Sequence, residues 1–479
     1  MMGVCSMPSV LINTEQVVLP SSSTSLLQFL REVQGLTAAK PACNGGDCGA
    51  CLVLLAELDQ GVLRFRAVNS CLLILSQVEG CVVITPEALV AGKELTPVQQ
   101  ALVEQGAIQC GYCTPGLSIA LTAALLNGDV LTDAVAGNLC RCTGYGGIRR
   151  ACAVLDAQFP RQPRSFDEAV TQGLLSAAVV RAMQSAVEQW TSERSAGDTL
   201  DLAGACGFIA GGTDWSVQHA HREPDLPVPR QLQRQSALQG ISVGDTHIDI
   251  GAAVTLAELQ SCDELTSRWP DIHRMLEYFA APGIRNSATA GGNLANASPI
   301  ADLAVLLLAL EAELVLAGLQ GRYRLPLSDF YLGYRQTALA PGERVERILI
   351  PREPERRLCF EKICRRPHDD IASVNSALTE DTSQKSGCFG RLSFAAGGVG
   401  PVPLLLTRTA ATLESQPVTV ASVRAALALI ADEIAPIDDL RGTARYKAAL
   451  LRHQLIAHLV RLHPSLSLPE LLVCRETAV

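Results

Sequence analysis

The sequence predicts a multidomain α+β protein, and three observations carry that expectation. Its 479 residues make about three domains, two cysteine quartets of unlike spacing lie in its first third, and two glycine-rich turns follow further on. Hydrophobic residues make up 48% of the chain, enough to furnish a core for each domain. A net charge of -9, with no basic tract and no aromatic–basic interleaving, argues against nucleic-acid binding. The most apolar stretch, Ala301 to Leu319, contains Asp302, Glu311 and Glu313, so it reads as a buried or amphipathic helix and not a membrane span. The opening Met1-Met2-Gly3-Val4-Cys5 lacks a charged region followed by an apolar core, which makes cytoplasmic residence the default expectation.

The first quartet is Cys43, Cys48, Cys51 and the distant Cys71, set in Pro41-Ala42-Cys43-Asn44-Gly45-Gly46-Asp47-Cys48-Gly49-Ala50-Cys51 and Asn69-Ser70-Cys71. Three closely spaced thiolates must turn onto one centre while the backbone wraps it, and the glycines allow that path. Backbone N–H groups freed by such a loop can hydrogen-bond cluster sulfurs and tune a reduction potential. The spacing is that of a plant-type [2Fe-2S] loop. Zinc is the main rival, although all-cysteine zinc sites usually show two C-x2-C pairs. Structural disulfides rank below it, because 17 cysteines without a secretory signal suggest a reducing compartment.

The second quartet is Cys110 and Cys113 in Gln109-Cys110-Gly111-Tyr112-Cys113-Thr114-Pro115-Gly116, with Cys140 and Cys142 in Gly137-Asn138-Leu139-Cys140-Arg141-Cys142-Thr143-Gly144-Tyr145. Pro115 suits a first helical turn, and Leu117 to Leu126 reads as a buried helix ending near Asn127-Gly128. Val130 to Leu139 fits another. Two interhelical turns would then each present two cysteines to one cluster.

These segments resemble the iron–sulfur region of the molybdenum hydroxylases, the family typified by xanthine dehydrogenase and aldehyde oxidase, over roughly residues 8 to 155. The resemblance implies a β-grasp ferredoxin-like domain for the first [2Fe-2S] quartet and a four-helix domain for the second. One departure is visible: Tyr145-Gly146-Gly147-Ile148 replaces the family's frequent Tyr-Arg-Pro-Ile, which is expected to loosen the loop beyond the cluster.

A polar, proline-containing stretch, Gln158 to Ser165, reads as a linker. Phe166 to Trp190 has a helical pattern, and Thr191 to Gly197 is a second polar connection. Then Gly207-Phe208-Ile209-Ala210-Gly211-Gly212-Thr213-Asp214 forms a short strand running into a glycine turn, whose N–H groups can cradle a pyrophosphate. Alone, such a turn is more often only a tight turn. A second one, Ala281 to Leu294, again concentrates Gly, Thr and Asn, and Ser298-Pro299 reads as a helix start with Asp302 in its first turn. Neither turn fits the Rossmann fingerprint or a phosphate loop.

The pair resembles the two-subdomain α+β FAD-binding domain of the same family. Carried over, Ile209, Ala210, Gly211, Gly212, Thr213 and Asp214 form one wall around FAD, and Thr289, Gly291, Gly292 and Asn293 the other. Phe279 lies near the adenine, Asp302 hydrogen-bonds the cofactor, and Lys362 is the counterpart of a lysine at the flavin, where a cation stabilises the anionic reduced ring. Arg365 and Arg366 read as solvated charges, and His368 as a surface residue. The rest, with strand-like Arg391 to Gly400 and helical Val420 to Ile434 and Arg445 to Leu462, resembles the family's C-terminal α+β flavoprotein subdomain. Cys81, Cys152, Cys206, Cys262 and Cys388 lack ligand spacing and are expected to be buried small hydrophobes.

The expected domains are thus 1–88, 89–158, a linker 159–165, 166–352 and 353–479. No segment matches the family's molybdopterin region. The resemblance therefore implies an electron-transferring small subunit, with the catalytic residues and molybdopterin on a large partner, in a heterotetramer of two small and two large chains. The fusion order favours a bacterial xanthine dehydrogenase, which hydroxylates hypoxanthine and xanthine and passes electrons through two [2Fe-2S] clusters and FAD to NAD+. The alternatives are a stand-alone iron–sulfur flavoprotein reductase, another molybdenum hydroxylase acting on aldehydes or N-heterocycles, and a zinc-bound scaffold.

Overall fold

A computed structural model describes residues 8–59, 62–89, 94–194, 207–220, 226–353, 356–366, 368–383 and 387–472. The amino-terminal pentapeptide and Cys206 lie outside the described residues. The chain divides into two compact units, residues 1–233 with 280–288, and residues 234–279 with 289–479. Among the described residues no helix is long and apolar enough to cross a membrane.

The first unit opens with β1 (Ser9–Ile12) and β2 (Glu15–Val18), followed by β3 (Leu52–Asp59), β4 (Val62–Asn69) and β5 (Val82–Ile84). They form a mixed sheet in the order β2-β1-β5-β3-β4, with β1 and β5 parallel. Successive side chains of a strand face opposite sides, and this sheet is apolar on both. Val10, Ile12, Val53, Leu55 and Val83 pack with Leu26, Leu27, Phe29 and Leu30 of the helical segment on one face. Leu11, Leu52, Leu54, Ala56, Val82 and Ile84 pack on the other with Leu117, Ile119, Ala120 and Leu121.

Those last residues belong to the helix Thr114–Asn127, which has Pro115 in its first turn and ends on left-handed Gly128, as the sequence predicts. It stands with Pro97–Glu104, Leu131–Ala134 and Gly146–Gln158 in a group of four helices. The helix expected over Val130 to Leu139 is a single turn, because the chain unwinds to pair elsewhere: Leu139 N–H donates to Cys48 O at 3.0 Å and Asn138 Nδ2 to Gly49 O at 3.2 Å.

The Gly146-Gly147 departure does the opposite of loosening a loop. Both residues lie in the first turn of a helix, and a Cβ on Gly147 would fall 2.5 Å from Gly106 O. The expected helix from Phe166 to Trp190 is two, Phe166–Thr171 and Ala177–Arg194, broken where Gly173 takes φ +70°. The unit closes with β6 (Phe208–Ile209) parallel to β7 (Arg230–Gln231).

The second unit holds an antiparallel sheet of β8 (Ile241–Val243), β9 (His247–Gly251), β10 (Glu313–Gly318), β11 (Gly321–Pro326) and β14 (Arg344–Pro351), ordered β11-β10-β14-β9-β8. A small hairpin, β12 (Tyr331–Gly333) and β13 (Gln336–Thr337), lies between β11 and β14 in sequence. A second antiparallel sheet runs β15 (Arg356–Ile363), β16 (Val374–Asp381), β17 (Arg391–Gly397) and β18 (Leu404–Leu405). Helices Val420–Glu433 and Ala444–Leu462, close to their expected bounds, share its core.

The apolar stretch from Ala301 is not one helix. Asp302–Ala309 is helical, Glu311 turns the chain at φ +55°, and β10 follows. That helix starts at Asp302 itself and not at Ser298-Pro299, which form a turn before it.

Candidate iron–sulfur and flavin sites

The loop carrying Cys43, Cys48 and Cys51 has no regular structure and passes through left-handed conformations at Asn44, Gly46 and Gly49. Cys51 and Cys71 are buried with their sulfurs 3.3 Å apart, and Gly45 N–H donates to Cys43 Sγ at 3.4 Å. The Cys48 thiol donates to Cys43 and holds it well down, to about 5, against burial and with help from loop N–H groups. Cys51 is likewise lowered by the Cys71 thiol, and Cys71 in turn is raised. Asn69, buried, ties the two segments by donating to Gly46 O at 3.2 Å.

The second quartet closes in the same pairwise way. Cys110 and Cys142 are exposed with sulfurs 3.5 Å apart, while Cys113 and Cys140 are buried. The Tyr112 N–H and the Cys142 thiol lower Cys110. Burial pushes Cys113 up to about 12, and for Cys140 burial is outweighed by hydrogen bonds from Thr143, whose hydroxyl lies 3.0 Å from the sulfur. Sulfurs at 3.3 and 3.5 Å are not disulfides; within each quartet the thiols are linked in pairs and the pairs feel each other's charge, and an all-thiol donor set of this kind fits an iron–sulfur cluster.

The two loops meet. A Cβ on Gly116, in the helix after Cys113, would sit 2.1 Å from Gly49 O, and Tyr112 OH donates to Pro41 O.

Each unit also presents one glycine turn. In the first, Ile209, Ala210, Gly211, Gly212, Thr213 and Asp214 run from β6 into the helix Thr213–Gln218. Gly211 is held against Ser287 O, where a Cβ would approach to 2.0 Å, and Gly212 has φ +70° against the Gln77 side chain. In the second, Thr289 caps the helix Ala290–Ala295 by accepting from Gly292 N–H at 3.2 Å, and Gly291 lies flat on Ala252. Asn293 Oδ1 is buried with no hydrogen-bond partner, an orphaned acceptor that fits a ligand donor such as a ribose hydroxyl. Phe279 is half-buried next to left-handed Ala280.

The structure brings together Asp302 and Lys362, sixty positions apart in sequence, as an ion pair of 2.8 Å. Lys362 also donates to Tyr278 O at 3.0 Å. Beside it opens a cavity of about 520 Å³ whose lining includes Arg274, Tyr278, Phe360, Lys362, Cys364 and Arg365. Tyr278 and Arg274 carry no motif, which is why spacing did not single them out. Arg365, Arg366 and His368 are exposed, as expected. Of the cysteines without ligand spacing, Cys81 and Cys152 are buried, but Cys262 and Cys388 are partly exposed.

Four family models match in chain order: a 2Fe-2S iron–sulfur cluster binding domain over residues 10–76, a [2Fe-2S] binding domain over 85–153, the FAD binding domain in molybdopterin dehydrogenase over 185–353, and the CO dehydrogenase flavoprotein C-terminal domain over 359–460. The chain is similar to xanthine dehydrogenase of Drosophila subobscura, at 30% identity over 83% of this chain and 34% of that protein. It is also similar to aldehyde oxidase 1 of Bos taurus, at 28% over 91% and 38%. The chain thus spans about a third of the length of these curated relatives. Among solved structures, a reconstituted CO dehydrogenase from Oligotropha carboxidovorans aligns with 52% of this chain and 86% of that one, at 29% identity and TM-score 0.48. With two [2Fe-2S] domains followed by an FAD-binding and a C-terminal flavoprotein domain, the chain belongs to the molybdenum hydroxylase family as its iron–sulfur and FAD part.

Proposed function

We propose that this chain is the electron-transfer subunit of a molybdenum hydroxylase, working with a large partner that holds molybdopterin and the catalytic residues. The observation that carries this is the two cysteine quartets, each with its thiols in close pairs, within one unit. Cys43, Cys48, Cys51 and Cys71 would hold one cluster, and Cys110, Cys113, Cys140 and Cys142 the other. Ile209 to Asp214, Phe279, Thr289, Gly291, Gly292, Asn293, Asp302 and Lys362 would hold FAD. When bound, the clusters supply one-electron carriers and the flavin a two-electron store.

The contacts of the first unit support an order of centres. The Cys43 loop touches the Cys110 side through Gly49 and Gly116, and its Cys71 arm touches the first glycine turn through Gln77. Exposed Cys110 and Cys142, with Gln109 beside them, would then face the partner.

For the finer reading, a purine such as xanthine is oxidised on the partner and NAD+ is reduced at the flavin. The xanthine dehydrogenases among the relatives favour it, and the cavity beside Lys362, lined by Arg274, Lys362 and Arg365 with Glu361 as its one acid, could take an anionic dinucleotide. A stand-alone reductase would use the same cofactors without a molybdenum partner. Iron and acid-labile sulfide analysis with a visible spectrum tests the core of the proposal. About four iron per chain are expected from two [2Fe-2S] clusters, and colourless protein containing zinc would refute it. Affinity purification that recovers no molybdenum-containing chain would favour the reductase. Xanthine-dependent NADH formation by the assembled enzyme tests substrate and acceptor together.

A further inference from the structure

Gln77 and Ser216 bridge the cluster segment to the first glycine turn. Gln77 is 2% exposed and Ser216 1% exposed. The Ser216 hydroxyl donates to Leu72 O at 2.6 Å, the carbonyl next to Cys71, across 144 positions of sequence. Gln77 Nε2 donates to Ala210 O at 2.8 Å, across 133 positions. The Gln77 amide oxygen is engaged too, accepting Ile74 N–H at 3.0 Å, so the side chain cannot rotate without losing a bond at each end.

The packing leaves no slack between these points. A Cβ on Gly212 would lie 2.8 Å from Gln77 Oε1, and one on Gly46, in the Cys43 loop, 2.5 Å from Leu72 Cδ1. Leu72 is therefore pinned from three directions: by its bond to Cys71, by Gly46 against its side chain, and by Ser216 on its carbonyl. Burying two polar side chains is costly unless they are fully bonded, and here each bonds a backbone carbonyl more than 130 positions away, which fixes the geometry between the two segments.

We infer that Gln77 and Ser216 are positioning residues that set the spacing between the Cys43/Cys48/Cys51/Cys71 cluster and the flavin turn Ala210–Gly212, and so the rate at which electrons cross between them. This rests on the cofactor assignment proposed above. The bonds described for both residues end on backbone atoms and not on thiols, so removing either side chain takes away no cluster ligand.

The test uses the full chain loaded with iron, sulfide and FAD. Laser-flash photoreduction with a deazaflavin donor reports electron equilibration between cluster and flavin by absorbance, and redox titration reports both midpoint potentials. For Gln77→Leu with Ser216→Ala, iron and flavin contents and potentials should match wild type while equilibration slows severalfold. Each single variant should slow it less, and Ser216→Thr, which keeps the hydroxyl, should recover the rate. A wild-type rate in the flavin-loaded double variant overturns the inference. So does slowing that a changed potential explains, or flavin loss in both single variants with clusters intact. Wild-type protein that takes up no cluster or no flavin refutes the cofactor assignment instead.

Discussion

Lys362 and Asn375 are cross-strand neighbours on β15 and β16, and both hold the same carboxylate. Lys362 Nζ is 2.8 Å from Asp302 Oδ2, and Asn375 Nδ2 is 2.5 Å from Asp302 Oδ1. Asn375 in turn faces Gly397 on β17, where a Cβ would come within 2.2 Å of its amide oxygen. Two strands thus converge on the carboxylate at the start of one helix, and a third backs the amide that holds it.

Lys362→Met should cost about 3–5 kcal/mol, since the Asp302 carboxylate, only 7% exposed, would be left without its countercharge. Urea unfolding followed by circular dichroism measures this, and Asp302→Asn together with Lys362→Met should recover part of the loss. A double variant no more stable than Lys362→Met would contradict the pairing.

Gly397→Ala should displace Asn375 and cost about 1–3 kcal/mol by overpacking. The same experiment reads it, and a neutral outcome would show that Asn375 can leave Asp302 freely.

Gly147→Ala and Gly146→Ala should separate cleanly although the residues are adjacent. The first drives a methyl into Gly106 O and should cost about 1–3 kcal/mol, with loss of iron from the cluster proposed at Cys140 and Cys142. At Gly146 the nearest neighbour is the flexible end of Arg150, 3.5 Å away, so alanine should be neutral or stabilise the helix by up to about 1 kcal/mol. Thermal midpoints and iron content of the two proteins decide it.

His458 makes the second unit acid-labile. Burial holds its imidazole down to about 3, with Arg461 and Arg274 adding to the effect and Asp271 opposing it, while Ser376 Oγ sits 2.8 Å from Nε2. The unfolded chain takes up a proton near pH 6.5 that the folded chain refuses. Stability from this group is therefore complete above about pH 6.5 and is lost as pH falls towards 3, with a slope of at most about 1.4 kcal/mol per pH unit. His458→Gln should flatten that slope between pH 6.5 and 4 in denaturant titrations, and an unchanged slope would assign it to other groups.

Cys113→Ser should lower iron from about four to about two per chain, one [2Fe-2S] cluster remaining. In the assembled enzyme it should abolish flavin reduction by the hydroxylated substrate while leaving NADH-driven flavin reduction intact. Loss of both would reverse the proposed order of centres.

The sequence by itself determined the chemistry-bearing groups, because thiol spacing and glycine turns are local patterns whose meaning survives without the fold. The helix from Thr114 to Asn127 was equally legible, since its proline start and glycine end are local signals. Where tertiary contacts compete with propensity, the sequence was silent or misleading. Val130 to Leu139 unwinds because Leu139 and Asn138 bond to the Cys48 loop, and Gly147 is required by a carbonyl forty residues away in sequence. Gln77, Ser216 and Asn375 had no motif to announce them. Each hydrogen-bonds a partner at least 70 residues distant in sequence, and only the folded chain places those atoms within reach.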